Sequence, residues 1–256
     1  PMEPEPQSLF VGTTLNYLWF LWILCWLAVG FAGAVTMATA LRLPAPPGWC
    51  FTSPAALLWT LPTTVVVQAF MGLFVPGFGP DTSAGILPQP HVLAYYAIFF
   101  AYGAGLFLAD QRADNPVEGV GRRWGSLFAV ALLLLFPLGF VTIRSPAATA
   151  LPQALYAWLM CFASIGFFRW LVPAESRTWR YLSDSAYWLY LAHMPVVIVL
   201  QQISSEWPLP GAVKFLLVSL LATAILLVSY QSFVRHTPLG VLLNGPRHRS
   251  SHAIRS

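Results

Sequence analysis

Charged side chains are scarce in this sequence of 256 residues. Asp, Glu, Lys and Arg make up 9% of the chain and hydrophobic types 57%, whereas a soluble domain carries roughly 25% charged residues. Lysine occurs once, at Lys214. A chain of this composition cannot cover a globular surface with polar groups, so we predict an integral membrane protein embedded in a lipid bilayer.

Cysteine is also rare, with three residues in the chain. Cys25 and Cys161 fall inside apolar runs and Cys50 lies in a loop, so the spacing predicts neither a disulfide framework nor a metal site. No permanently bound cofactor is predicted. The net charge is +4, but the arginines are spread over alternate loops and form no single basic surface, which argues against nucleic acid as a partner.

Long apolar runs separated by proline-rich and glycine-rich loops fill most of the chain. No alternating pattern of about ten residues appears, so helices are favoured over a membrane barrel and the predicted fold class is all-α. The whole chain, 1–256, is predicted to be one transmembrane domain. About seven membrane spans are predicted, over residues 16–38, 54–75, 91–109, 124–143, 147–168, 185–204 and 212–234.

The basic residues predict an orientation. With the amino terminus outside, Arg144 and Lys214 lie on the outer side, and the remaining 11 of the 13 basic residues lie on the cytoplasmic side. This asymmetry follows the positive-inside rule. It predicts a cytoplasmic carboxyl terminus with a basic tail at 235–256, and a sixth span that runs outwards.

That sixth span carries a histidine among apolar residues. Ser183, Asp184 and Ser185 are each suited to cap the start of a helix, and His193 follows nine residues after Asp184. Nine steps cover about 13 Å, which is near the middle of a hydrocarbon layer about 30 Å thick. An imidazole at that depth is costly unless it faces protein or a water-filled cavity, so His193 marks a candidate site.

Three stretches resemble a known family. They are residues 181–195 (YLSDSAYWLYLAHMP), residues 233–245 (FVRHTPLGVLLNG) and residues 18–22 (LWFLW). The first is close to a helix of the form Ser-Tyr-x-x-Tyr-x-x-His-x-Pro in the acyltransferase 3 family of integral membrane acyltransferases. Within that family, the second is similar to the last helix and tail of the glucan-biosynthesis C proteins, which succinylate periplasmic glucans.

The resemblance implies an activity and a place in the cell. It implies about ten membrane helices in a bacterial inner membrane, an acyl-CoA donor on the cytoplasmic side, and transfer of an acetyl or succinyl group to a hydroxyl of an envelope carbohydrate such as a periplasmic glucan. Ten helices would put three spans upstream of Asn16, so the sequence is expected to be the carboxyl-terminal part of a longer protein. The family's catalytic histidine on an early helix has no match here, which places the general base outside this chain and leaves the chain inactive alone.

His193 and Tyr190 are the candidate catalytic residues. O-acylation needs a base for the acceptor proton and donors for the developing oxyanion, and an imidazole serves either role. The alternative is that His193 only holds the bundle together. Tyr190 shares a helix face with His193, and Tyr187 lies one turn earlier. The two hydroxyls line an acceptor path in one interpretation and pack against neighbouring helices in the other.

Two further groups are candidates for substrate binding. Trp19 and Trp22 recur with Trp26 at helical spacing and form a face for stacking on a sugar, or an ordinary packing or interfacial surface. His91, near Asp81 on the outer side, is either a contact for the acceptor or a plain surface histidine.

Arginines on the cytoplasmic side are candidates for binding the donor. Guanidinium groups match phosphate oxygens, so they suit the phosphates of CoA. The alternative is that they fix the topology and bind no ligand. The candidates are Arg112, Arg122, Arg123, Arg177 and Arg180.

Two other classes of protein fit the predicted topology. Seven spans with an exterior amino terminus also describe a rhodopsin-like receptor or light-driven pump, but retinal chemistry needs a lysine deep in the last helix and Lys214 lies at its outer edge. A noncatalytic relative or transporter-like module stays open as well, because the early catalytic helix has no counterpart in this sequence.

Overall fold

The described chain is helical throughout. A computed structural model describes residues 18–44, 46–52, 55–73, 76–111, 119–172, 176–235 and 237, and these ranges contain no strand. The predicted all-α class is therefore confirmed. The helices are α1 (Trp19–Ala40), α2 (Ala55–Gln68), α3 (Pro90–Ala109), α4 (Trp124–Val141), α5 (Pro146–Leu171), α6 (Arg177–Ser204) and α7 (Gly211–Val234), with a 3-10 turn at Gly48–Phe51.

Six of these helices are long and apolar enough to cross a membrane, and α2 is shorter. The span predicted over 54–75 forms a helix of only 14 residues, which ends at Gln68, whereas a perpendicular span needs about 20. Four residues later Gly72 adopts a positive φ of 67°, and its N–H donates to the Asp81 carboxylate at 3.0 Å. A left-handed backbone and a distant acceptor thus replace the last turns of the predicted span.

The sixth span begins earlier than predicted. Ser176 caps α6 by accepting from the backbone N–H of Trp179 at 3.2 Å. Ser183 and Asp184 lie inside the helix, and the Ser185 hydroxyl donates back to the Leu182 carbonyl at 2.8 Å. The predicted caps at 183–185 are wrong because the helix extends past the apolar segment through an aromatic and basic turn.

Prolines interrupt the helical hydrogen bonding in two of the spans that matter below. In α4 a wide π turn covers Ala131–Leu135 immediately before Pro137, and the extra residue in that turn accommodates the missing N–H. In α6 Pro195 lies within the helix. It removes the bond that would reach the carbonyl of Leu191.

The contacts divide the chain into two compact units, residues 1–173 and 174–256. The first contains α1 to α5 and the second contains α6 and α7. Within the predicted tail, 235–256, the description covers Arg235 and Thr237, and the rest of the tail lies outside the described residues.

Aromatic side chains form the core of the first unit. Trp158 is completely buried and stacks on Phe99 with ring centroids 4.3 Å apart. Its indole N–H donates to the hydroxyl of Thr64 at 2.9 Å. Because the polar edge of the indole has a partner, the ring can occupy the apolar centre without leaving an unpaired donor.

Two glycines allow close contact between α5 and the turn before α4. Gly121 adopts a φ of 68°, and a Cβ added there would collide with the carbonyl oxygen of Phe162 and the backbone of Gly166. A Cβ on Gly166 would in turn collide with the backbone of Gly121. This backbone contact fixes the start of α4 against α5.

In the second unit, polar bonds between side chains and backbone fix the register of α6 against α7. The Tyr181 hydroxyl donates to the Leu227 carbonyl at 2.8 Å, and the Trp188 indole donates to the Ser229 hydroxyl at 3.0 Å. The two bonds lie about two turns apart along α6. They hold this stretch of α6 against α7.

Candidate active site

His193 lies on α6 with its ring oriented by the backbone. Its Nδ1 lies 2.6 Å from the carbonyl oxygen of Tyr190. A carbonyl oxygen can only accept, so Nδ1 carries the hydrogen in this contact and the lone pair of the neutral ring is on Nε2. The ring is half-buried. This tautomer leaves Nε2 as the ring's proton-accepting nitrogen.

The predicted depth of His193 is the same when it is counted from the observed end of α6. His193 lies 11 residues before Ser204, the last residue of α6. Eleven residues rise about 16 Å, which is about half of a hydrocarbon layer near 30 Å thick. The earlier start of α6 therefore leaves the predicted depth of the ring unchanged.

A groove between α6 and α7 passes the ring. Its inner part has a volume of about 360 Å³ and is lined by His193 and Tyr190 together with residues of α7. Its outer part, about 380 Å³, reaches the ends of the two helices at Ser205 and Gly211. Val197 and Ser219 line both parts, so they adjoin. The two parts thus lie next to each other between the end of the helices and the imidazole.

Polar side chains recur along both walls of this groove. On α6, His193 and Gln201 line it two helical turns apart. On α7, Ser219 and Thr223 line it at a spacing of one turn. Gln201 and the α7 pair were not among the predicted site residues. The signal of the α7 pair in the sequence is two hydroxyls four positions apart within an otherwise apolar span, which also describes a packed helix face.

Lys214 lies at the outer end of the groove. Its side chain lines the outer part, and its ammonium donates to the carbonyl of Ser205 at 2.8 Å. That bond joins the start of α7 to the end of α6. The one lysine of the sequence therefore contributes a positive charge where the groove meets the helix ends.

The two predicted tyrosines differ in their surroundings. Tyr190 lines the inner part of the groove, and its ring centroid lies 5.8 Å from that of His193 with the planes tilted by 41°. Tyr187 is 47% exposed and is not among the residues lining the inner part. Geometry therefore links Tyr190 more closely than Tyr187 to the imidazole.

The predicted tryptophans and His91 belong to the first unit. The Trp22 indole donates to the Ile86 carbonyl at 2.7 Å, and the rings of Trp19 and Tyr96 lie 6.0 Å apart. These contacts attach α1 to the segment before α3 and to α3 itself. His91 Nε2 lies 3.5 Å from a carboxylate oxygen of Asp81. Their proposed role in binding an acceptor stays a prediction.

The predicted arginines are only partly described. Arg122 and Arg123 are exposed in the turn before α4, and Arg180 is exposed on the first turn of α6. The backbone of Arg177 begins α6, its side chain is outside the description, and Arg112 lies outside the described residues. Contact between these arginines and CoA stays a prediction.

The part of the chain that the structure describes contains no disulfide and no cluster of metal ligands. Cys25, Cys50 and Cys161 are free thiols. Across the same ranges, no three His, Cys, Asp or Glu side chains come together as a metal site would require. The groups with acid or base chemistry beside the groove are therefore the imidazole, the hydroxyls and the ammonium described above.

Comparison with known proteins adds a family to this geometry. The profile of the acyltransferase 3 family, described as an acyltransferase domain, matches residues 3–230. This range takes in helices of both compact units and includes His193 and most of α7. No curated protein and no solved structure matches the chain.

Proposed function

Because this chain belongs to the acyltransferase 3 family of membrane acyltransferases, we propose that it moves an acetyl or succinyl group from acyl-CoA to a carbohydrate hydroxyl. The proposed acceptor is a cell-envelope glycan such as a periplasmic glucan. The proposed location is a bacterial inner membrane with the carboxyl terminus in the cytoplasm. The distribution of the 13 basic residues supports this orientation.

The groove that leads to His193 is the observation that carries the proposal. A histidine that only held helices together would need no open path, whereas this ring lines a groove that continues to the end of α6. The predicted topology places that end outside, where an envelope glycan would be offered. The path thus connects the side of the acceptor with the one imidazole at mid-depth of α6.

The proposed reaction is a nucleophilic substitution at the thioester carbon. In this proposal His193 is the general base, in place of the upstream histidine that the family resemblance implies. Its Nε2 takes the proton of the acceptor hydroxyl while the hydroxyl oxygen forms a bond to the acyl carbon. The carbon–sulfur bond then breaks, and the CoA thiolate leaves and receives the proton from the imidazolium. The Tyr190 carbonyl, 2.6 Å from Nδ1, orients the ring and stabilises the imidazolium, since Nδ1 is a donor in both ring states.

The two ends of α6 suit the two substrates. At its beginning, Arg180 is exposed and offers a guanidinium to the phosphates of CoA. At its end, Lys214, Gln201 and the serine hydroxyls line the groove and offer donors and acceptors to sugar hydroxyls. The donor would then approach from the cytoplasmic side and the acceptor from the outer side.

Transfer of labelled acyl groups in membranes tests the proposal. The 256-residue chain and the complete reading frame are each expressed and supplied with labelled acetyl-CoA or succinyl-CoA and a glucan acceptor. We expect label on the glucan, and we expect His193→Ala to lower the rate about 10²- to 10⁴-fold, the usual contribution of a general base. Ile198→Ala, which truncates an exposed residue of the same helix, is the matched control.

The outcomes separate three interpretations. Unchanged turnover in His193→Ala would remove this histidine from the mechanism. Transfer by the complete reading frame but not by the 256-residue chain would place an essential group upstream. No transfer by either form, with both folded in the membrane, would favour a noncatalytic or transporter-like relative.

A further inference from the structure

A large apolar cavity lies in the first unit, and the mechanism above does not use it. It has a volume of about 970 Å³, near the upper end of the range of small-molecule sites, about 300–1,000 Å³. Its walls come from α1, the 3-10 turn, α2 and α3, and they are almost entirely apolar. Phe31, Leu58 and Leu108 are representative lining residues. The lining suits a hydrocarbon chain.

The cavity lies where α1 is poorly packed. Ile23 is the one buried residue of this 22-residue helix, and it lies in the first half. In the second half, the rings of Phe31 and Phe100 touch at 5.6 Å, while Ala34 and Ala38 face the cavity. An occupant would therefore supply the contacts that α1 lacks with α2 and α3.

Arg42 lies at the end of α1 between two residues that line the cavity, Thr39 and Leu43. Its backbone has a φ of 53°. Its N–H donates to the Thr39 carbonyl at 3.1 Å, and the N–H of Leu43 donates to the Ala38 carbonyl at 2.9 Å. This is the Schellman arrangement of a helix end, in which the left-handed position is usually glycine. Arginine occupies it here.

The geometry of the turn does not explain why position 42 is an arginine. Glycine adopts the left-handed conformation without steric cost and arginine does not. The Arg42 side chain is exposed, and among the described residues its guanidinium has no carboxylate partner. A strained position that holds a charged side chain is grounds for inferring a function for that side chain.

We propose that the cavity binds an acyl chain of an anionic phospholipid whose phosphate contacts Arg42. A basic residue directly before Leu43, which lines the apolar cavity, matches a molecule with an anionic head and a hydrocarbon tail. The predicted topology puts Arg42 on the cytoplasmic side, where basic residues next to the membrane attract anionic lipids. The site lies in the first unit and does not involve His193, so it is independent of the proposed acyl transfer.

Lipid retention by the purified full chain tests the site. The protein is reconstituted with equal amounts of phosphatidylglycerol and phosphatidylcholine of matched acyl chains, extracted in mild detergent and analysed by native mass spectrometry. We expect phosphatidylglycerol to be retained about fivefold over phosphatidylcholine, as one basic group at the membrane surface provides. Because no acyl donor or acceptor is present, failure here says nothing about the transfer reaction.

Variants show whether lipid retention depends on the Arg42 charge or on the volume of the cavity. Arg42→Gly removes the guanidinium and relieves the backbone, so we expect a folded protein without the preference for phosphatidylglycerol. Arg42→Lys should keep the preference. Ala101→Trp, which fills the cavity from α3, should lose both lipids. Arg144→Gly removes an exposed arginine elsewhere and should change nothing.

Three results would overturn the proposal. One is equal retention of the two lipids by the wild type. Another is an unchanged preference in Arg42→Gly. The third is displacement of phosphatidylglycerol from the cavity by palmitoyl-CoA at equal concentration, which would assign the site to a soluble amphiphile and not to a membrane lipid.

Discussion

Both compact units place polar side chains at the depth of the membrane, and they use them differently. In the first unit Gln68 and Gln153 are 2% and 3% exposed, and the amide of Gln68 donates to the Gln153 oxygen at 2.9 Å. In the second unit His193 and Gln201 line an open groove. The first pair is enclosed by protein and the second lines an open groove between two helices.

The contacts of the enclosed pair indicate a structural role. The Gln153 oxygen also accepts from the backbone N–H of Gly79 at 3.0 Å, and its amide donates to the Gly77 carbonyl at 3.3 Å. These bonds hold the loop that carries Phe78, whose ring stacks on Phe140 at 5.3 Å. An unpaired polar group is costly in an apolar medium. The comparison shows that burial alone does not mark a site, whereas burial beside an accessible cavity does.

The largest effect is expected from breaking the enclosed pair. Gln153→Leu leaves the Gly79 N–H and the Gln68 amide without this acceptor, which costs about 2–6 kcal/mol at roughly 1–3 kcal/mol for each unsatisfied group. Thermal unfolding of the purified protein measures the loss. Activity per folded molecule should persist.

The matched change in the second unit should show the opposite pattern. Gln201→Leu is the same substitution in the groove, and we expect slower acyl transfer with little change in unfolding temperature. Equal losses of stability in the two variants would contradict the distinction between the enclosed pair and the groove.

A smaller effect is expected from narrowing the groove at its junction. Ser219 lines both parts, so Ser219→Phe should obstruct access to His193 and lower kcat/KM for the acceptor about tenfold, equivalent to about 1.4 kcal/mol. Leu220→Phe, at a position 68% exposed on the neighbouring face, is the control. If both variants act alike, the groove is not the acceptor path.

A still smaller effect is expected from removing one hydroxyl. Tyr190→Phe keeps the backbone carbonyl that orients His193 and the ring beside it, and loses only the hydroxyl. Loss of one hydrogen bond of about 1 kcal/mol predicts a several-fold lower rate in the labelled-glucan assay. Tyr187→Phe should have less effect, since Tyr187 is 47% exposed. The reverse order would assign the acceptor path to the other face of α6.

The smallest effect is expected from the bond that sets helix register. Trp188→Phe removes the donor to Ser229 and should lower the free energy of unfolding by about 0.5–1 kcal/mol. Ser229→Ala should cost a similar amount, and the double variant should cost little more than either. Additive losses in this double-mutant cycle would mean that the two side chains are not coupled.

Composition and apolar run length predicted most of the fold. Six predicted spans correspond to helices long enough to cross a bilayer. The second predicted span is a shorter helix that still runs along α3, from Phe51 beside Tyr102 to Met71 beside Val92. Its length was not predictable because its end depends on the Asp81 carboxylate, nine residues from Gly72. The predicted start of α6 was wrong because a helix extends beyond the hydrocarbon edge wherever the residues before it accept helical geometry. Ser176 caps the helix nine residues before the predicted start.

Of the two helices that form the candidate site, only α6 contained residues that the sequence predicted. His193 stood out because an ionisable ring within an apolar run is rare, and Gln201 shares its face at helical spacing. Ser219 and Thr223 required knowledge of how α7 pairs with α6, which depends on contacts such as Tyr181 to Leu227. Helix pairing is a property of three-dimensional packing and leaves little trace in either segment alone.

Pro195 gives the outer third of α6 some mechanical independence. The residue directly after Met194 cannot donate along the helix axis, so the portion from Val196 to Ser204 is tied to the portion below it by one bond fewer. The missing bond spans Leu191 to Pro195 and so brackets His193, and bending at this joint would change the spacing between the outer wall of the groove and the Tyr190 carbonyl that holds the ring. In the proposed reaction, the width of the acceptor path and the position of the base would then vary together.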